Sequence, residues 1–316
     1  MCKSKIMQFI CRLIGCCVEA EGERGTMAKS DGRSVWWFFG VVYLVTAVLF
    51  IPIIRSGRGI STPTNMILMA VITWVPSLTG ILFIYQTRDS AGRRDFWRRT
   101  LHWPRKSRGV VVASLALLPA LVFISYALAC ALEGTSMTFA YASELAHNKN
   151  LLLQFLLVEF IFGALSEELG WRGYALDELE KKWSPLVASL VLGCLWALWH
   201  TPAFLIPGLS QYEMGGVFSW PYASFVTAVV FGCVITSRAY HLTGRSILVA
   251  GILMHFMYNL SITLLAGNFG GFSVPASYWI VTPVVFFLAA AASVLLRRPG
   301  ASASSPRWQA GAMPGG

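Results

Sequence analysis

Two adjacent carboxylates and an arginine, Glu167, Glu168 and Arg172, interrupt an apolar stretch of this 316-residue chain. On a helix Glu168 and Arg172 are i and i+4 with the acid on the N-terminal side, the orientation that favours a salt bridge. Glu167 is turned about 100° away from Glu168. The pair therefore neutralises itself and leaves Glu167 to point into a bundle, where an unpaired carboxylate can serve as a general base. Three further polar residues fit such a site. Glu167 lies 17 residues before Ser184 and His200 lies 16 after it, so a helical hairpin turning near Lys182 to Pro185 puts the two at similar depth. His255 and Asn259 are again i and i+4 and share one helical face. Trp196, four residues before His200, is read as a wall of the cavity. Glu159, eight residues before Glu167, is turned about 80° round the helix and ~12 Å along it, which suits either an access path or a membrane interface.

The elements that must carry these residues are membrane spans. Hydrophobic residues make up 56% of the chain and charged residues 13%, against roughly 25% charged in ordinary soluble proteins, which excludes a soluble globular fold. Stretches of about 20 apolar residues, enough to cross a bilayer core of roughly 30 Å, recur eight times. They cover 35–54, 66–85, 110–132, 151–171, 185–206, 222–239, 246–266 and 278–296. The formal charge of +10 does not point to nucleic acid, because the basic residues follow the positive-inside pattern. Six precede the first span, and eight stand between the second and third, from Arg88 to Arg108. Lys181, Lys182, Arg238, Arg245, Arg297, Arg298 and Arg307 continue the same side, while the other side holds only Arg55, Arg58 and Lys149. The expected architecture is an all-α, polytopic membrane bundle of about eight helices with both termini cytoplasmic. Residues 1–34 form a basic cytoplasmic tail, 35–296 the membrane domain, and 297–316, rich in Ser, Ala, Gly and Pro, a disordered tail. The expected location is multi-pass in the cell membrane.

Ionisable residues inside spans are costly and mark functional positions. All four aspartates, Asp31, Asp89, Asp95 and Asp177, fall outside the spans, which argues against an intramembrane aspartyl protease. No HExxH occurs, nor a GxSxG accompanied by a histidine. The cysteines form no CxxC pair. No span shows the paired Gly/Pro breaks of a discontinuous-helix transporter.

The segment LSEELGWRGYALDELEKKWSPLVASLVLGCLWALWHTPAF, followed by HFMYN, resembles the CPBP family, the type II CAAX prenyl endopeptidase and bacteriocin-processing group also called ABI. Its three motifs, EExxxR, an aromatic with His four residues later, and HxxxN, correspond to Glu167, Glu168 and Arg172, to Trp196 and His200, and to His255 and Asn259. The second motif usually begins with Phe, so Trp196 is a departure. The resemblance covers about 150–265. It implies an intramembrane endopeptidase acting on a membrane-associated peptide or protein, with Glu167 activating water, His200 assisting, His255 and Asn259 stabilising the oxyanion, and Glu168 and Arg172 in support. Members are often labelled metalloproteases, which makes Glu167, His200 and His255 a candidate zinc set beside a metal-free glutamate mechanism. A non-catalytic bacteriocin-immunity or scaffold protein on the same fold is the alternative from another class.

Overall fold

The computed structural model describes residues 34–268, 271–272 and 274–296. The expected tails, apart from Ser34, lie outside the described residues. Among the described residues eight helices are long and apolar enough to cross a membrane: α1 (Ser34–Ser56), α2 (Pro63–Thr87), α3 (Arg108–Glu133), α4 (Lys149–Glu180), α5 (Pro185–Leu205), α6 (Trp220–Leu242), α7 (Leu248–Leu265) and α8 (Tyr278–Leu295). The fold is all-helical save for a two-residue antiparallel ladder pairing Gly267–Asn268 with Gly271–Phe272.

Local chemistry fixes where several spans start. Thr62, Asn148, Ser184 and Ser219 each accept a hydrogen bond from a backbone N–H of the helix they precede, at 3.2, 3.1, 3.4 and 3.2 Å. A side-chain oxygen at this position satisfies one of the donors that a helix start leaves open. Pro63 and Pro185 occupy first-turn positions, where the missing N–H is no loss. Leu44, Val48, Ile67, Val112, Leu157, Val284 and Leu288 are exposed on the spans, as lipid-facing side chains should be.

The loops alternate between two ends. After α2, α4 and α6 the chain comes together at one end, where Arg88 and Arg245 both reach Asp177 near the end of α4. At the other end Ile60, after α1, donates its N–H to the Pro207 carbonyl after α5 (3.2 Å), and Ser277 donates to Glu133 at the end of α3 (2.6 Å). An even number of crossings from α1 to α8 gives this arrangement.

Span four differs most from its sequence reading. It does not end at 171 but continues to Glu180, so Asp177 belongs to it. It also leaves α-helical pairing twice, in π-type segments at Glu159–Leu165 and Trp171–Ala175 that flank the α-helical turn Ser166–Gly170. A third π segment, Leu248–Leu253, opens α7. Each i→i+5 pairing adds a residue to its turn and rotates the remainder of the helix, and such bulges concentrate at functional sites.

Candidate active site

The α-helical turn between the π segments carries both carboxylates at the centre of the bundle. Glu167 and Glu168 are buried, the latter completely. Glu168 Oε1 pairs with Arg172 Nη1 at 2.5 Å, the i,i+4 bridge the spacing predicts. The same oxygen accepts from His255 Nδ1 at 2.9 Å, so α7 is tied to α4 through this carboxylate. Arg172 also donates to Thr236 Oγ1 on α6 at 2.8 Å, and its guanidinium lies 4.4 Å over the ring of Trp196 on α5. One ion pair thus touches α5, α6 and α7. Gly251 makes this possible, because a Cβ there would stand 3.0 Å from Glu168 Oε2.

Glu167 faces the other way, yet it is not free. Its Oε2 accepts two indole N–H bonds, from Trp171 at 3.0 Å and from Trp196 at 2.6 Å. Its Oε1 is 3.9 Å from His200 Nε2. The hairpin count therefore places the two correctly across α4 and α5. His200 Nδ1 lies 2.9 Å from the Trp196 carbonyl. A carbonyl only accepts, so Nδ1 carries a proton, and in the neutral form of the ring Nε2 turns a lone pair towards Glu167. The 3.9 Å gap is too long for a direct hydrogen bond.

Asn259 and Glu159 form a second polar pair. The Asn259 side-chain amide donates to the Glu159 carboxylate, and Gly163 leaves room for them: a Cβ there would meet Asn259 Nδ2 at 2.9 Å and Glu159 Oε2 at 3.2 Å. A π segment separates Glu159 from Glu167, so the phase between them is not the one an ideal helix predicts. Trp196 lines a cavity of about 30 Å³ with Arg172, Thr236, His255, Tyr258 and Phe286, room for about one water.

The zinc set does not assemble in this arrangement. Among the described residues no group of three or more His, Cys, Asp or Glu side chains is placed to hold a metal ion. One oxygen of Glu167 is taken by indole donors, and His255 turns Nδ1 to Glu168.

Residues 149–261 match the family described as type II CAAX prenyl endopeptidase Rce1-like. The segment that builds the site is thus similar to that family. It holds Glu159, Glu167, Glu168, Arg172, Trp196, His200, His255 and Asn259, so all three motifs fall within it. Over a longer stretch the chain is similar to CAAX prenyl protease 2 of Methanococcus maripaludis, 26% identical over 260 residues, which is 82% of this chain and 92% of that protein.

Two members of the site escape sequence reasoning. Trp171 and Thr236 look like ordinary core residues, and only the i,i+4 spacing of Trp171 from Glu167 hints at contact. Behind them Asp177 is enclosed by Arg88, Arg99, Arg245 and Tyr240, with Arg99 Nη2 at 2.7 Å, Arg88 Nη2 at 3.2 Å and Tyr240 OH at 2.9 Å. Arg99 lies on the short helix Ser90–Thr100, capped by Asp89, which packs Phe96 against Gly173. Part of the basic segment read as a topology signal is therefore a clamp on the end of α4.

Proposed function

We propose that this protein is an intramembrane endopeptidase that hydrolyses a peptide bond of a membrane-associated peptide or protein, as its Rce1-like segment suggests. The observation that carries the reading is the 3.9 Å approach of Glu167 Oε1 to His200 Nε2, with both groups oriented by other bonds. A water seated against both acceptors donates one proton to each and directs its lone pairs away from them, towards a substrate carbonyl. As the water oxygen bonds to the carbonyl carbon, its proton passes to Glu167, which then protonates the leaving amide nitrogen as the C–N bond breaks. This is general base and then general acid catalysis by one group.

His255 and Asn259 are assigned to the developing oxyanion. With Nδ1–H directed at Glu168, His255 can donate from Nε2 only as an imidazolium, with the Glu168 carboxylate as its counter-charge. Asn259 retains a second amide proton beyond the one given to Glu159. Donors aimed at developing charge in a dry site are among the largest contributions to catalysis. No step is routed through a metal. The protein then sits in the cell membrane with both termini cytoplasmic and acts on substrates within the bilayer.

The test compares membranes from cells making the native protein with those making Glu167→Gln at equal abundance, by sequencing protein termini. New termini confined to the native sample are expected. The same termini in both samples would overturn the assignment of Glu167 as base. Retained partner capture without any cleavage would favour an immunity or scaffold role.

A further inference from the structure

We propose that Trp171 and Trp196 are positioning residues that decide which oxygen of Glu167 reacts. The inference rests on the hydrolytic reading above and deepens it. A carboxylate with two equivalent oxygens can rotate about its last torsion, which is broad and roughly two-fold, and offer either oxygen to a water. Here both indoles donate to Oε2, at 3.0 and 2.6 Å. They approach from different helices, so the carboxylate plane is fixed and Oε1 alone is left facing His200 Nε2.

The two donors are held more firmly than a general packing role requires. Trp171 is fully buried, stacked on Phe39 with ring centroids 6.2 Å apart at 20°, and meets Phe38 and Trp199 edge-on at 5.7 and 5.8 Å. Trp196 carries the Arg172 guanidinium on one face at 4.4 Å and meets His255 edge-on at 5.1 Å. Neither ring can leave Oε2 without breaking that packing.

Trp196 has a second hold on the pair. Its carbonyl accepts His200 Nδ1–H at 2.9 Å while its indole donates to Glu167 at 2.6 Å. One residue therefore sets the tautomer of the histidine through its backbone and the rotation of the glutamate through its side chain. Phenylalanine at 196 would keep the first function and lose the second. At 171 it would likewise keep the aromatic stacking and remove the donor.

The experiment measures cleavage of a transmembrane reporter protein by the full chain in liposomes, with kcat and KM resolved against pH. Trp196→Phe and Trp171→Phe are each expected to lower kcat by about 10²-fold, the scale of a misplaced reacting group, with KM within about twofold of native. Benzothienylalanine at 196, a tryptophan isostere without the N–H, separates donation from shape and reproduces the Trp196→Phe effect if donation matters. Native kcat in the phenylalanine and isostere proteins would overturn the positioning role while leaving the peptidase reading intact. Absence of any native cleavage of the reporter would remove the peptidase reading and the positioning role with it.

Discussion

Gly80 and Gly170 meet backbone to backbone, so that a Cβ built on Gly80 would stand 2.7 Å from the Cα of Gly170. The contact is closer still on the other side, where a Cβ on Gly170 would lie 2.2 Å from the Pro76 carbonyl oxygen. Span α2 thus lies directly on the turn Ser166–Gly170 that carries both carboxylates. Ser77 fastens it there, donating its hydroxyl to the Leu165 carbonyl at 3.2 Å. Gly170→Ala has no flexible side chain to displace and must push the two helices apart. Overpacking of this kind costs about 1–3 kcal/mol. The variant should unfold at lower temperature in detergent than the native protein and lose activity more than stability, because the shift acts directly on Glu167. Native cleavage by Gly170→Ala would show that the close approach does not position the site.

The clamp on Asp177 makes a prediction about pH. Burial disfavours the charges on Arg99 and Arg245, but Asp177 beside them outweighs that effect and holds both guanidinium groups above the ordinary arginine range. A pKa raised on folding contributes stability that is fully present below the unfolded value and is lost only as pH rises through the folded one. The cationic side of the clamp is therefore constant at every pH below the ordinary arginine range. Arg245→Gln, at a partly exposed position, should cost on the order of 1 kcal/mol after solvent screening. Its Tm deficit should be equal at mildly acidic and mildly alkaline pH. A deficit that grows on the alkaline side would contradict the assignment. Asp177→Asn should cost more, about 3 kcal/mol, because it leaves buried guanidinium groups without their counter-charge.

Sequence reasoning succeeds or fails here according to how well each inference tolerates error. The eight spans and their alternation rest on averages over some 20 residues, and small boundary errors do not disturb them. The depth match of Glu167 and His200 comes from counting outwards from one tight turn at Ser184, and it holds to 3.9 Å. The Glu168 to Arg172 bridge is local and survives because that turn remains α-helical on its N-terminal side. The isolation of Glu167 is different, since nothing in the spacing says that an indole four residues away, or one on the next helix, will donate to it. The π segments have no signature in hydropathy, so the position of Glu159 could not be settled by ideal helix geometry. The Asp177 clamp joins residues 63 to 89 positions apart, and each partner alone looks like a loop charge.

The two adjacent glutamates should respond oppositely to the same conservative change. Glu168 is fully buried, and one oxygen serves both Arg172 and His255. Glu168→Gln leaves the Arg172 guanidinium buried without a carboxylate, and breaking a buried pair this way costs about 3–5 kcal/mol. Among the described residues Glu167 has no arginine or lysine partner and His200 stands 3.9 Å away, so Glu167→Gln should fold with near-native stability and lose cleavage. Thermal unfolding in detergent separates the two. Equal destabilisation would mean that Glu167 also has a structural duty.

Asn259 offers a test of the oxyanion assignment that does not pass through the base. Removing one preorganised donor typically lowers kcat by about 10²–10³-fold. Asn259→Ala should show that loss with little change in KM, and Asn259→Asp, which has the shape but no amide proton, should fare no better. Glu159→Gln provides the control, because a glutamine there can still accept from Asn259 and should retain most activity. If Asn259→Asp cleaves at the native rate, the amide does not stabilise the transition state.

Removal of divalent metals bears on the remaining mechanistic choice. Glu167 Oε2 is engaged by two indoles, His255 Nδ1 by Glu168 and His200 Nδ1 by the Trp196 carbonyl, which leaves Glu167 Oε1 and the Nε2 atoms of the two rings as donors. Zinc bound by three protein groups needs each of them at about 2.0–2.2 Å from one point, and the described residues hold no such grouping. Prolonged treatment with a strong chelator, followed by metal analysis of the purified protein, should therefore leave reporter cleavage within about twofold of the untreated rate, a change far below the tenfold that about 1.4 kcal/mol represents. Loss of activity that returns on adding zinc, with a stoichiometric ion in the active sample, would require Glu167, His200 and His255 to close around a metal and would replace the glutamate-water mechanism.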